Sequence, residues 1–233
     1  MRLWFIGHDG AMEIYDVMRT TFAARNYTDD PVPDEVLYRI LDHARFAPSG
    51  GNRQGGHVII VRDRDTKQRL GELCIPALSL YSAQRKAGES PWQTIHPTSV
   101  NVEEAMAGET NAIPMFNKMG DTPVVLIVCV DLSVVASMDS RLDRIGVISG
   151  ASIYPMAWNI LLGARNEGYG GALTTLIASA EPAVQDLLNI PSHFAVAGLI
   201  PMGKPVKQLT KLSRKPVESF VTNGTFDGPA LEA

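Results

Sequence analysis

The run Pro123-Val124-Val125-Leu126-Ile127-Val128-Cys129-Val130 constrains this chain more than any other stretch. It has strand length and no polar face to turn toward water, so it predicts a central β-strand covered on both sides. Two further runs fit beside it. His57-Val58-Ile59-Ile60-Val61 is short and β-branched and reads as a buried strand, and Phe194 to Met202 supplies a last apolar one. A sheet covered on both faces needs helices above and below it.

Several segments supply the helical period. From Met12 to Arg25, Ile14, Val17, Met18 and Thr21 recur at helical spacing, and the pattern fades into a turn over 26–31. Pro33 suits a first helical position, with Asp34 and Glu35 in the first turn and Leu37, Ile40, Leu41 and Ala44 on one buried face. Asp63 or Asp65 can cap a helix through Leu70, Leu73 and Cys74. Ile145 to Glu167 reads as one long apolar helix, its small residues Gly150, Ala151 and Ser152 suiting deep burial or a subunit interface. Gly168 to Ala172 ends it and leads into Leu173-Thr174-Thr175-Leu176-Ile177. Ser179 can cap a further helix through Leu188, with Pro182 in its first turn.

Between Pro76 and Asp121 the periodicity is poor, which predicts a lid, a binding segment or a partly helical insertion. The expected organisation is an N-terminal extension at 1–11 and a single domain at 12–233. The insertion at 76–121 and a C-terminal tail at 203–233 belong to that domain.

Composition narrows the function. A net charge of −4 provides no basic field for nucleic acid or anionic membrane, so neither is an expected partner. Cys74 and Cys129 lie in apolar runs without metal-ligand spacing and read as reduced core residues. The apolar opening at Met1 to Ile6 is too short for a signal peptide, and no run approaches the roughly 18 apolar residues of a membrane span. A cytoplasmic protein is expected. The histidines His8, His43, His57, His96 and His193 lack metal-like spacing, and no Gly-x-Ser-x-Gly occurs.

Ala47-Pro48-Ser49-Gly50-Gly51-Asn52-Arg53-Gln54 is the segment best suited to hold a ligand. Pro48 forces the preceding helix to stop, the glycines permit close backbone approach, and Ser49, Asn52 and Gln54 offer donors and acceptors beside the Arg53 charge. An ordinary surface loop accounts for the same composition.

Four segments, in order, resemble the FMN-dependent nitroreductase family: Arg19-Thr20-Thr21-Phe22-Ala23-Ala24-Arg25-Asn26-Tyr27 with Pro31-Val32-Pro33; Ala47 to Gln54; Gly168-Tyr169-Gly170-Gly171-Ala172-Leu173-Thr174-Thr175; and Arg214-Lys215-Pro216. The resemblance implies an α+β fold of three α/β/α layers with a mixed, mainly antiparallel central sheet, in an intertwined homodimer. It implies FMN as cofactor and NADH or NADPH as hydride donor, with a small-molecule electron acceptor following in a ping-pong mechanism. Arg25 and Arg214 resemble the family's phosphate-binding arginines, to which Arg19 or Lys211 could add. Pro48, Ser49, Gly50, Asn52 and Gln54 resemble a segment that reaches the flavin from the partner subunit. Gly170, Gly171, Ala172, Leu173 and Thr174 resemble the segment passing the flavin edge, where a backbone N–H can donate to N5. A glycine-terminated helix would explain the same glycines.

Two departures accompany the likeness. The family commonly reads Arg-Arg-Ser-x-Arg where this chain has Thr21-Phe22-Ala23-Ala24-Arg25, so part of the phosphate and ring contact set is missing. Gly55-Gly56 replaces the common Pro-Trp, which removes bulk and is expected to widen or loosen the start of the strand. Trp92, Met115 and Phe116 are the candidate substrate contacts. Other readings stay open: dehalogenation or flavin fragmentation on the same fold, or a flavin- or ligand-binding protein with little reductase activity. The dehalogenating relatives' zwitterion clamp pairs a lid Glu with a Tyr one turn later. Here Glu103 and Glu104 are followed by Ala107 and Gly108, and Glu89 and Glu109 by Gln93 and Ile113.

Overall fold

In the computed structural model, which describes residues 12–232 and so leaves the expected extension at 1–11 outside the described residues, the apolar run forms β2 (Val124–Asp131), buried through Val130. Its side chains alternate between two cores. Val124, Leu126, Val128 and Val130 pack with α2 (Asp34–Ala44) and α5 (Tyr154–Asn166). Val125, Ile127 and Cys129 pack with α3 (Arg64–Lys86), α6 (Glu181–Leu188) and a 3₁₀ turn at 114–121. The period of two along one strand thereby specifies three layers.

β1 (Gly56–Val61) and β4 (Phe194–Gly203) pair antiparallel with β2 on either side, and the short β3 (Gly170–Gly171) pairs antiparallel with β4. The order is β1-β2-β4-β3. The sheet's strand pairings are thus antiparallel among the described residues, and an isolated parallel bridge joins Ala23 to Gly171 at its edge. Within β4 the register shifts by one residue: Val128 faces Gly198 but Cys129 faces Val196. Ala197 is the extra residue, and this bulge keeps both Val196 and Leu199 on the α3 side while Ala197 and Ile200 face α2 and α5.

Several expected boundaries move, each for a tertiary reason. α1 (Ile14–Thr20) ends well before Arg25, because the next residues are drawn into pairing with β3. Pro33 stands just before α2, its carbonyl accepting from the Val36 and Leu37 N–H groups at 3.1 Å each. Asp63, not Asp65, caps α3, accepting from Thr66 N at 2.8 Å.

α3 continues through Pro76 for 23 residues instead of giving way to a loop. Its second half is covered on its polar side too: Ser79 donates to Gly108 O at 2.7 Å, and Gln84 Oε1 accepts from Trp92 N at 3.1 Å. Burial of those polar groups erases the amphipathic signal. The rest of the insertion carries α4 (Val102–Ala107), whose first turn is capped by Asn101 accepting from Glu104 N at 3.2 Å. The helix expected over 145–167 is likewise shortened. Pro155 sits in the first turn of α5, and residues 148–152 form a separate 3₁₀ turn. Ser179 donates to Leu176 O within another 3₁₀ turn, so it does not cap α6.

Candidate functional site

The site begins where the chain after α1 is pinned to the end of the sheet. Ala24 N donates to Gly171 O at 3.1 Å, Thr28 N to Lys204 O at 2.9 Å, and Val206 N to Asn26 O at 3.1 Å. Tyr27 locks this segment: its hydroxyl lies 2.5 Å from Ala24 O and 2.9 Å from Pro201 O. Burial drives its pKa far above the ordinary tyrosine value, so it stays a neutral donor. Gly171 permits the pairing, since a Cβ there would stand 2.8 Å from Pro201 O.

Beyond β3 the chain continues along the β4 edge. Ala172 N donates to Pro201 O at 3.3 Å and Thr174 N to Leu199 O at 2.9 Å. The alternate N–H groups, on Leu173 and Thr175, take no acceptor among the described residues. Alternation is the ordinary property of an edge strand, which leaves every second amide facing outward. Leu173, Thr174 and Thr175 line a cavity of about 600 Å³ together with Arg25, Tyr81 and Trp92. A second cavity, of about 650 Å³, shares Arg25 and Tyr81 with the first and adds Asn26 and Arg85. No Asp, Glu or His lines either one.

The expected site residues therefore divide. Arg25, Leu173, Thr174 and Trp92 come together at one cavity, with Gly170, Gly171 and Ala172 buried behind them at the sheet edge. Thr21 turns away: it is buried, its hydroxyl donating to Val17 O at 2.7 Å to close α1. Phe22 and Ala23 carry no hydrogen-bonding side-chain atom, and Arg19 is exposed on the last turn of α1. Phe116, expected as a substrate contact, is a core residue on the α3 side. It is 1% exposed. Met115 belongs to that core as well, touching only the wall of the second cavity. Both fill the volume between α3 and the sheet.

The loop at 48–54 is shaped from within. Ser49 Oγ accepts from Gln54 N at 2.9 Å, Ser49 O accepts from Asn52 N at 2.8 Å, and Gly50 N donates to Ser152 Oγ at 3.2 Å. Gly51, Asn52 and Gln54 all adopt left-handed backbone, at φ +63°, +53° and +53°. That conformation is uncommon outside glycine, yet Asn52 and Gln54 both hold it. Pro48, Asn52 and Gln54 are exposed.

The loop does not meet Arg25. It enters β1 at Gly56, opposite Val130, whereas Gly171 pairs with Met202, opposite Val124. Six residues of strand separate those ends, roughly 20 Å, and three strand spacings separate β1 from β3. Gly55 and Gly56 do not widen the region. A Cβ at Gly55 would lie 2.5 Å from Val134, and one at Gly56 2.7 Å from Met156, so the pair admits close packing of the 131–136 loop and α5.

Arg214 lies on the exposed tail, its guanidinium donating to Ser213 O at 2.7 Å, and lines neither cavity. Burial pushes the Cys74 thiol up to about 12 and the Cys129 thiol up to about 11, which removes both as nucleophiles. No group of metal-ligating side chains occurs among the described residues, and no helix there is long and apolar enough to cross a membrane. The cavity walls thus offer a cation, outward backbone N–H groups and aromatic surface. They can hold and orient a planar, partly anionic molecule.

Sequence reasoning misses Tyr81 and Arg85 because they lie beyond Pro76. The signal exists: Leu70, Cys74, Leu78, Tyr81 and Arg85 keep helical spacing straight through the proline.

The model of the Nitroreductase family matches residues 18–204. An NADH dehydrogenase of Thermus thermophilus is 28% identical over 206 residues, covering 84% of this chain and 89% of that protein. An FMN reductase [NAD(P)H] of Bacillus subtilis is 27% identical over 221 residues, covering 87% and 70%. Among solved structures, an oxidised iodotyrosine deiodinase bound to FMN and 3-iodo-L-tyrosine superimposes with a TM-score of 0.64 at 21% identity, covering 92% of this chain and all of that one.

Proposed function

The chain belongs to the nitroreductase family, and from that premise we propose that it is an FMN-dependent oxidoreductase using NADH or NADPH to reduce a nitroaromatic, a quinone or a similar small acceptor. The observation that carries this reading is the segment at 173–175, which follows β3 and bridges β4 through Thr174. Leu173 and Thr175, whose N–H groups take no acceptor among the described residues, line one cavity with Arg25, Tyr81 and Trp92. Arg25 makes no ion pair among the described residues. A flat heterocycle with hydrogen-bonding edges and negative charge fits that donor set.

When bound, FMN supplies the redox chemistry, taking hydride from the nicotinamide and giving electrons to the acceptor. The protein's part is positioning. The N–H groups of Leu173 and Thr175 are available to the cofactor's polar edge. Arg25 offers positive charge to the cofactor, and Tyr81 and Trp92 form a surface for flat substrates. Thr21 to Ala24 bring no cation, so the phosphate end depends on Arg25 and on the tail's Arg214.

The loop at 48–54 completes the site across a homodimer. It is preshaped and exposed, yet far from its own chain's cavity, as expected of a segment serving a partner's. Apolar surface supports the same assembly: Trp158 on α5 is 45% exposed and Phe220 on the tail 70%. Dehalogenation is the second reading, favoured by the deiodinase likeness. The lid carboxylates weaken it. Glu89 is occupied by Thr98 Oγ1 at 2.5 Å and Ser99 N at 2.7 Å, and Glu103 and Glu104 line neither cavity.

Coexpression of differently tagged Arg25→Ala and Ser49→Ala/Asn52→Ala chains tests the two-chain site. The mixed dimer should hold one intact site and one doubly altered site, retaining about half the flavin and NAD(P)H-dependent quinone reduction. Equal impairment of mixed and parent dimers would sink the idea. A protein that stays colourless when FMN is added would overturn the flavin reading altogether.

A further inference from the structure

The geometry points to an anion subsite beside the proposed flavin cavity, with Arg85 as its specificity residue and an aromatic carboxylate as the class of acceptor it takes. The assignment of that ligand as an acceptor rests on the reductase reading; the subsite itself rests on charge and shape. Arg25 stands on the wall common to both cavities, and Arg85, on the last turn of α3, stands on the second one only. Neither pairs with a carboxylate among the described residues, and neither cavity has an acidic lining residue. Glu89, the nearest acidic residue along the chain after Arg85, is engaged by Thr98 and Ser99 instead.

With Arg25 given to the cofactor, Arg85 leaves a positive charge on a concave wall that has no acidic lining residue, and such a wall attracts anions. Tyr81 and Ile113 line both cavities, and Asn26 adds amide donors to the second. Because Tyr81 is common to both cavities, a ring packed on it in the first can extend a substituent into the second, whose wall carries Arg85. The planar guanidinium fork matches a carboxylate in two parallel hydrogen bonds, which a neutral substituent cannot reproduce.

The FMN-supplemented protein, titrated with benzoate and with its neutral isostere benzamide, tests this by calorimetry. Benzoate is expected to bind about ten-fold tighter, the preference falling as salt rises. In Arg85→Gln the preference should vanish, and Arg85→Lys should restore part of it. In turnover, the ratio of kcat/KM for 4-nitrobenzoate to that for nitrobenzene should drop about ten-fold in Arg85→Gln, through KM. An unchanged preference and ratio in that variant overturns the proposal. So does an effect confined to the KM for NADPH relative to NADH, which would give Arg85 to the hydride donor's phosphate. The titration decides separately from the flavin: Arg85-dependent benzoate binding by a protein that takes up no FMN would keep the subsite and refute the reductase reading.

Discussion

Replacing Gly171 with Ala tests whether the sheet edge really carries the site. Gly171 is buried, and a Cβ there would lie 2.8 Å from Pro201 O, 2.9 Å from Ile200 Cγ2 and 3.1 Å from Leu161 Cδ2. The closest neighbour is backbone oxygen in β4 and cannot rotate aside. Forcing the methyl in is overpacking, which costs about 1–3 kcal/mol. The shift of β3 that accompanies this overpacking also strains the Ala24 N to Gly171 O bond, adding about 1 kcal/mol. The expected loss is therefore about 2–4 kcal/mol, which for a chain of 233 residues corresponds to a fall in Tm of about 5–15 °C. Gly168→Ala is the control. A methyl added there would meet nothing within 4 Å, so only the backbone φ of +81° opposes it, at about 1–2 kcal/mol. Urea titration at fixed protein concentration measures both. Flavin titration should show weakened binding in Gly171→Ala alone, because displacement of β3 carries Arg25 with it. A Gly171→Ala protein as stable as Gly168→Ala, with undiminished flavin affinity, would refute the reasoning.

Arg25→Gln should weaken FMN binding about ten- to hundred-fold, the loss of one charge-assisted contact, in a flavin-fluorescence titration. Asp139 is buried, and its carboxylate accepts from Val147 N at 2.7 Å and from Arg144 Nη1 at 2.8 Å. Those bonds hold it below the ordinary carboxylate range. A folded-state value below the unfolded one contributes stability above about pH 4 and loses it as pH falls further. The stability gap between the protein and Asp139→Asn should accordingly narrow on acidification from there, read from urea midpoints across pH. The thiols of Cys74 and Cys129, pushed up to about 12 and about 11, should react with a disulfide reagent at neutral pH only as fast as the chain opens.

Much of the fold could be read along the chain. The run at 124–130 had to be a covered central strand, since a strand with no polar face has nowhere else to go. Pro48 stopped the helix before it, and Pro182 sat in the first turn of α6. Elsewhere local pattern was overruled. Thr21 to Arg25 had helical spacing but a better partner in β3, and α3 ran on through Pro76 because the insertion buried its polar side.

The residue types at the site, an arginine, a glycine pair and a polar loop, were legible in sequence because their chemistry does not depend on neighbours. Which of them share a cavity was not. Arg25 reaches the cavity because Tyr27 ties its segment to Pro201, 174 residues away, and Thr175 faces outward because β4 takes the alternate amides. Phe116 and Trp92 are both large apolar residues of one insertion, yet one is core and the other cavity wall. Sequence determined what could bury and what could bind. Only the long-range pairing of strands and helices decided which group does which, because burial and hydrogen-bond partnership are properties of the folded neighbourhood and not of the residue.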